Sequence, residues 1–278
     1  MKNYVKNKSI IVTGAGSGFG RLVAQKAAAL GASITCVDIN GDALTETVVT
    51  LTAYKDNIRT VVADVSSAED MKRAAAETIS AFGRIDVILN NAGIMPLAFY
   101  ADHDAALERW HDCIDINFKG VLNGITCVFD HMMSRGQGQV INMSSIFGNY
   151  PVEGSNVYGA TKAAVNFLSE SLRVEANGKI KVTTIRPTGV LSTGLAQSMI
   201  NPAAAVGISG HNGDTQRALM TKLMDGTLAP NYLDAEQGAY MALDPDYVAE
   251  QIIHVINQPH GVSLGDVTIR ATGDQYIL

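Results

Sequence analysis

The sequence predicts an α/β fold of one domain spanning residues 1–278, a doubly wound parallel sheet of about seven strands with helices on both faces. Three observations lead there. Short β-branched runs alternate with longer Ala- and Leu-rich segments of helical period. Several runs are almost continuous in Ile and Val, the pattern of strands covered on both sides. The first run passes directly into a glycine-rich turn that opens a helix.

Taken in order, strands are expected at residues 9–13, 33–38, 59–63, 85–90, 139–143, 181–186 and 267–270. Helices are expected at 20–30, 68–82, 160–175 and 246–257. Repeated strand–helix units imply right-handed crossovers and a parallel sheet. No Pro- or Ser-rich linker, charge block or internal repeat divides the chain. Roughly sixty residues before position 246 lack a strand pattern. Within them, residues 201–214 (NPAAAVGISGHNGD) read as a mobile loop, and 193–243 as a lid over a substrate.

Composition narrows the partners. Lys and Arg number 21 against 27 Asp and Glu, a net charge of -6, with 47% hydrophobic residues. Without a basic cluster this balance argues against nucleic acid. No apolar stretch approaches a membrane span, and after Lys8 only Ile10, Ile11 and Val12 precede Thr13, too short for a signal sequence. Cys36, Cys113 and Cys127 lack paired spacing and fit reduced thiols, so a cytoplasmic protein is expected. His103, His111, His131, His211, His254 and His260 show no metal-ligand spacing, and no metal is expected.

The turn at 13–20, TGAGSGFG, places Gly14, Gly18 and Gly20 where a tight turn, approach of a pyrophosphate and close helix packing need them. Ser17 and Phe19 lie between them at the helix N-terminus, whose free N–H groups suit phosphate. Asp38 ends the second strand, where a ribose needs an acid. Dinucleotide binding on a Rossmann-type sheet follows. A 2′-phosphate about 4 Å from the Asp38 carboxylate would meet a repulsion of roughly 4 kcal/mol at an effective dielectric of 20. Ala15, Ser17 and Ile39 offer no compensating cation and Arg21 falls inside the first helix, so NAD is expected rather than NADP.

The order of the 13–20 turn, Asp64-Val65, Asn90-Asn91-Ala92-Gly93, Asn117, Ser145 and Tyr158-x-x-x-Lys162 resembles the short-chain dehydrogenase/reductase family over residues 7–193, with a weaker match at 265–272. Chemistry explains the pairing of Tyr158 and Lys162. A phenol with a reference pKa near 10 is inert as a base at neutral pH unless a cation lowers it, and residues four apart share a helix face. The resemblance implies Tyr158 as general acid/base, with Lys162 also binding the nicotinamide ribose. It implies Ser145 as the hydroxyl on the substrate oxygen, Ser144 being the alternative, and Asn117 as the residue that kinks a helix and holds a water leading from Lys162. It further implies cofactor contacts from Asp64 and Val65 at adenine, from Asn91, Ala92 and Gly93 beside the adenosine ribose, and from Ile39 next to Asp38. Pro187, Val190 and either Ser192 or Thr193 would meet the nicotinamide, with Thr188 standing where the family usually has glycine.

The substrate pocket is expected from Ile94, Met95, Pro96, Ile146, Phe147, Tyr150 and Val152, apolar and without an Arg or Lys clamp. Leu195, Met199, Leu219, Met220, Leu223 and Met224 form either one packed face or an apolar lid. The expected activity is NAD(H)-dependent interconversion of a small-molecule secondary alcohol and ketone, neutral and fairly hydrophobic. Reduction of a 3-oxoacyl thioester on an acidic carrier is the alternative, which Asp38 and the net charge oppose. A regulatory protein that has lost catalysis is another, opposed by the presence of Asn117, Ser145, Tyr158 and Lys162 together. The resemblance also implies a homotetramer or dimer, and the apolar positions Val121, Ile125, Val128, Ala164, Phe167 and Leu168 suit either such a contact or the core.

Overall fold

In the computed structural model, which describes residues 2–190 and 194–277, seven strands form one sheet: β1 (Ser9–Thr13), β2 (Ser33–Asp38), β3 (Ile58–Val62), β4 (Val87–Asn90), β5 (Gly138–Met143), β6 (Ile180–Pro187) and β7 (Asp266–Ile269). Every pairing is parallel, in the order β3-β2-β1-β4-β5-β6-β7. The winding reverses between β1 and β4, and the crevice beyond their carboxyl ends is where open α/β sheets take ligands.

The helices are α1 (Gly18–Ala29), α2 (Gly41–Thr50), α3 (Ala68–Phe82), α4 (His103–Ile114), α5 (Gly120–Arg135), α6 (Asn156–Glu175), α7 (Gly213–Met224) and α8 (Pro245–Ile256). Strand alternation feeds two cores. Ile10 and Val12 pack with Val23 and Ala27 of α1, Leu44 of α2 and Ile252 of α8. Ile11, between them, packs with Met71 of α3, Val121 and Val128 of α5 and Val165 of α6. All of β1 is therefore buried, which is why it reads as a continuous apolar run. Each such Ile or Val contributes roughly 1.5–3 kcal/mol through burial. Val121, Ile125 and Val128, which the sequence left open between subunit contact and core, belong to this inner core, because α5 turns that face to the sheet.

Helix ends follow local chemistry. The Ser67 side chain accepts from Asp70 N–H to start α3, which stops at Gly83 with φ 76°. Asp244 accepts from Asp246 N–H ahead of Pro245 to start α8. α6 begins at Asn156, ahead of the expected 160, which puts Tyr158 in its first turn.

Residues 201–214 are not the loop that their composition predicts. Asn201 accepts from Ala203 N–H, Pro202 follows at the first helical position, and 3-10 turns over Pro202–Asn212, interrupted by a kink at Gly210 (φ 50°), lead into α7. Ala204 and Ile208 anchor it in the interior. The Leu195–Met224 series is neither a single packed face nor uniformly exposed: Leu219 is buried and Met224 is open to solvent. Among the described residues no helix is long and apolar enough to cross a membrane, and no group of His, Cys, Asp and Glu is placed to hold a metal ion.

Candidate active site

The carboxyl ends of β1 and β4 are stapled to each other. Thr13 Oγ1 donates to Leu89 O (3.2 Å) and accepts from the N–H groups of Asn91 (2.9 Å) and Ala92 (3.1 Å). Asn91 Nδ2 donates back to the carbonyls of Thr13 (2.9 Å) and Gly14 (3.3 Å). The Asn91 amide thus shapes the turn itself. Gly14 and Gly18 adopt φ of 64° and 50°, the left-handed region, and a Cβ on Gly20 would overlap the Gly14 carbonyl. The first turn of α1 has no acidic residue, and Ser17 makes no side-chain cap. Its N–H groups therefore keep the positive character that attracts phosphate.

At the next corner, Asp38 Oδ2 accepts from Gly16 N–H (2.9 Å) and Oδ1 from Asn40 N–H (3.0 Å). A Cβ on Gly16 would stand 2.8 Å from Oδ2, so that position must stay bare. Ile39 is exposed beside it. Arg21 is closer to this corner than its place in the first helix suggested. Its guanidinium folds back to the Gly16 carbonyl, bonds Thr47 Oγ1 (2.9 Å) and pairs with Glu46 (2.9 Å). Asp64 Oδ1 accepts from Ser66 N–H (2.8 Å), and Val65 is buried against Gly120 at the start of α5.

Ser145 follows β5 in extended conformation, its hydroxyl accepting from Phe147 N–H (3.3 Å) and standing beside the Tyr158 phenol. Tyr158 is 3% exposed, with the Phe147 ring edge-on at 5.7 Å. Burial pushes the phenol pKa up, while the Ser145 hydroxyl pulls the other way. Lys162, 6% exposed, lies with Nζ 5.7 Å from the Tyr158 ring centre and donates to Met143 O (2.9 Å). Burial lowers its pKa to about 8. The neighbouring Ser144 is turned away, its hydroxyl donating to the Lys162 carbonyl (3.2 Å).

Asn117 sits in a π-helical turn, Asp115–Lys119, that joins α4 to α5. Its amide grips both backbone groups of Ile94, accepting from N–H (2.9 Å) and donating to the carbonyl (2.8 Å). The side chain is thereby committed to the strand-end loop. Gly93 separates it from Lys162: a Cβ there would lie 3.1 Å from Asn117 Oδ1 and 3.8 Å from Lys162 Nζ.

Leu97, Cys113 and Ala204 form one buried cluster with Tyr158, and Ile94, Met95, Phe99, Phe147, Val157, Met199 and Ala205 pack against it. Ile146 is buried behind Ser145. Pro96 and Val152 contribute carbonyls to Trp110 Nε1 and Ser155 Oγ. Tyr150, expected in the lining, is 67% exposed, because the chain has left the tight turn at Ile146–Gly148 and entered a surface loop. Past Pro187, Val190 bridges to Leu243. Thr188 is buried, with Oγ1 bonded to Asp274 (2.9 Å), and Gly189, not residue 188, takes the positive φ of 50°. Ser192 and Thr193 lie outside the described residues.

A family model described as short chain dehydrogenase matches residues 8–203. The chain belongs to that family. It is 31% identical over 271 residues to an uncharacterized oxidoreductase of Listeria innocua, covering 96% of this chain and 98% of that one. Among solved structures, the closed form of serine dehydrogenase complexed with NADP+ superposes with a TM-score of 0.78 at 27% identity, covering 97% of each chain. A 3-ketoacyl-(acyl-carrier-protein) reductase from Brucella melitensis, complexed with NADH, gives 0.75 at 22% identity over 97% of this chain and 99% of that one. At that identity the second likeness shows the fold alone.

This short-chain dehydrogenase is an oxidoreductase whose family binds a nicotinamide dinucleotide. The residues present fit that group, through the bare glycine turn, the uncapped N-terminus of α1 and the acid at Asp38. Sequence reasoning missed several neighbours of the site. Thr13 staples the two strand ends, Cys113 and Thr161 approach the Asn117 amide at 3.3 and 3.4 Å, and Ala204 comes from the segment expected to be mobile. Only the Asn201-Pro202 pair carried a local signal for the last of these.

Proposed function

We propose that this oxidoreductase uses NAD(H) to interconvert a secondary alcohol and a ketone, the substrate being neutral and fairly hydrophobic. The observation that carries the reading is the buried Tyr158 phenol with Lys162 Nζ 5.7 Å from its ring centre and the Ser145 hydroxyl beside it. The nicotinamide ring, when bound, takes or gives the hydride. In oxidation Ser145 holds the substrate oxygen and Tyr158, as phenolate, accepts the hydroxyl proton while the C–H bond breaks and the C=O bond forms. In reduction Tyr158 returns that proton to the oxygen. Burial opposes the phenolate, so its charge has to be met by the Ser145 hydroxyl and Lys162. Asn117 holds Ile94, and with it the loop that carries Gly93, against the catalytic helix.

The apolar surroundings of Tyr158 support the substrate class. Residues 194–243 act as the cover. Met95 N–H donates to Ser198 Oγ (2.7 Å), Ile200 and Asn201 both donate to Leu97 O, and Ala204 packs on Tyr158. A homodimer or tetramer is part of the same reading, supported by Phe167, which stands 78% exposed on α6.

The Asp38 carboxylate supports NAD(H), since a 2′-phosphate there meets a repulsion of roughly 4 kcal/mol, and the nearby Arg21 charge is already engaged by Glu46. Fluorescence titration is expected to give a dissociation constant for NADH at least about tenfold below that for NADPH, a difference of about 1.4 kcal/mol. The reverse order would overturn the cofactor assignment. For the chemistry, NAD+ reduction is screened across secondary alcohols of graded size and polarity, and Tyr158→Phe is expected to lower kcat by about 10²–10⁴-fold with NADH affinity unchanged. Retained turnover in that variant would sink the mechanism.

A further inference from the structure

Beyond β7 the chain continues as a tail that spans the space between the cover and the loop after β6. Along the cover, Ile277 N–H donates to Ile208 O (3.1 Å), Asn212 Nδ2 donates to Gln275 O (3.2 Å), and the Ile277 side chain fills the place that a Cβ on Gly210 would take. On the other side, Asp274 fixes the tail to the β6 loop. Its carboxylate, 4% exposed, accepts from Thr188 Oγ1 (2.9 Å) and from Arg270 Nε (3.1 Å) and Nη2 (2.7 Å). Gly273 N–H adds a bond to Tyr240 O (2.7 Å). The threonine that replaces a glycine after Pro187 and the acid in the tail are therefore two halves of one attachment.

This attachment delivers Tyr276 to the same loop. Its ring lies on Gly189: a Cβ at that position would stand 2.8 Å from both Cε2 and the hydroxyl oxygen. Gly189 precedes Val190, so the phenol packs on the loop that carries the residue expected to meet the nicotinamide. Among the described residues the Tyr276 hydroxyl has no hydrogen-bond partner, although burial pushes its pKa up to about 12 and keeps it a neutral donor at physiological pH. Around Tyr158 the hydrophobic packing is broken by Ser145 and Lys162, which the proposed chemistry uses, and by Thr161 and the Asn117 amide, both already bonded within the protein. Arg270 pairs with Asp274, so the pair brings no net charge to the cleft.

We propose that Tyr276 is a specificity-determining residue whose hydroxyl hydrogen-bonds a second, uncharged oxygen of the substrate, so that the enzyme favours diols and hydroxyketones over simple secondary alcohols. This rests on the alcohol/ketone reading of the Ser145–Tyr158 site. With Ser145 and Tyr158 engaged by the reacting oxygen, the Tyr276 phenol supplies a partner for a second one, and losing one such bond changes affinity by about tenfold.

The test compares butane-2,3-diol with butan-2-ol in the wild type and in Tyr276→Phe, which keeps the ring on Gly189. Steady-state rates with NAD+ are joined by calorimetric binding of each alcohol to the enzyme saturated with NADH, a readout that needs no turnover. In Tyr276→Phe, KM and Kd for the diol are expected to rise about tenfold, with kcat within about twofold and the butan-2-ol and NADH affinities unchanged. Equal loss for both alcohols, no loss for either, or weaker NADH binding overturns the assignment. A wild type that turns over neither alcohol, yet loses diol binding selectively in Tyr276→Phe, removes the alcohol/ketone reading and leaves Tyr276 as the contact.

Discussion

Lys162 keeps an ammonium where burial disfavours it, and that conflict is measurable as a pH dependence. Its folded pKa is lowered to about 8 from 10.5. Below pH 8 the side chain is protonated in both folded and unfolded chains, and the folded state bears the desolvation penalty. Between pH 8 and 10.5 the unfolded chain binds more protons than the folded one, so the residue's contribution to stability rises with pH. Replacing it by Met removes this dependence along with the bond to Met143 O. Thermal melts of the cofactor-free enzyme are thus expected to show wild type gaining stability relative to Lys162→Met as pH climbs from 8 to 10. A difference independent of pH would mean that Lys162 already titrates normally in the fold. On the proposed mechanism the same penalty has a use, since the cation stands 5.7 Å from the ring centre of the phenol whose ionisation it would assist.

Helix α5 approaches the sheet more closely than most side chains would permit, and glycines make the approach possible. A Cβ on Gly124 would overlap Asn90 Oδ1, an oxygen buried without a partner. The Asn90 amide starts a buried chain through Asn142 (2.8 Å) to Ser169 (2.9 Å), which ends on Val165 O (2.8 Å). Gly124→Ala must push α5 outward or twist Asn90 off this chain, at a cost of about 1–3 kcal/mol, or roughly 2–10 °C in Tm, readable by calorimetry. No loss of stability would imply that the helix can slide freely. Elements with strong local pattern were legible beforehand: β1, β2 and α3 lie where Ile/Val runs and an amphipathic segment placed them. The start of α6 was not, because Gly159 looks like a breaker; it is in fact required, since a Cβ there would come within 2.9 Å of Phe147 O. Nor does any local period distinguish the π turn at Asn117 from ordinary helix, as its geometry is fixed by the distant Ile94 backbone. Motif residues along the chain named the candidate site, whereas its tertiary partners, Arg21 at Gly16 and Asp274 at Thr188, were invisible to spacing.

Across the whole molecule, helix α6 is finished on its inner face and unfinished on its outer one. Val165 and Leu172 of α6 are buried against the sheet, while Phe167 and Val174 stand 78% exposed. Ala160, Ala164 and Phe167 follow one another at helical spacing, and Ala160 and Ala164 border a shallow apolar groove with Tyr100, Ile114 and Phe118. A large aromatic left in water beside such a groove fits a second copy of the chain, and a stable pair buries roughly 800 Å² per partner. Light scattering is expected to find a dimer or tetramer, and Phe167→Glu, which puts a charge where the partner would desolvate it, to shift the mass toward the monomer. Because Tyr158 and Lys162 lie on the same helix, dissociation is also expected to lower kcat while leaving the dinucleotide turn at β1 intact, so that NADH affinity stays within about twofold. A monomeric wild type, or a Phe167→Glu enzyme that remains assembled, would assign the exposed stripe to something other than the enzyme's own assembly.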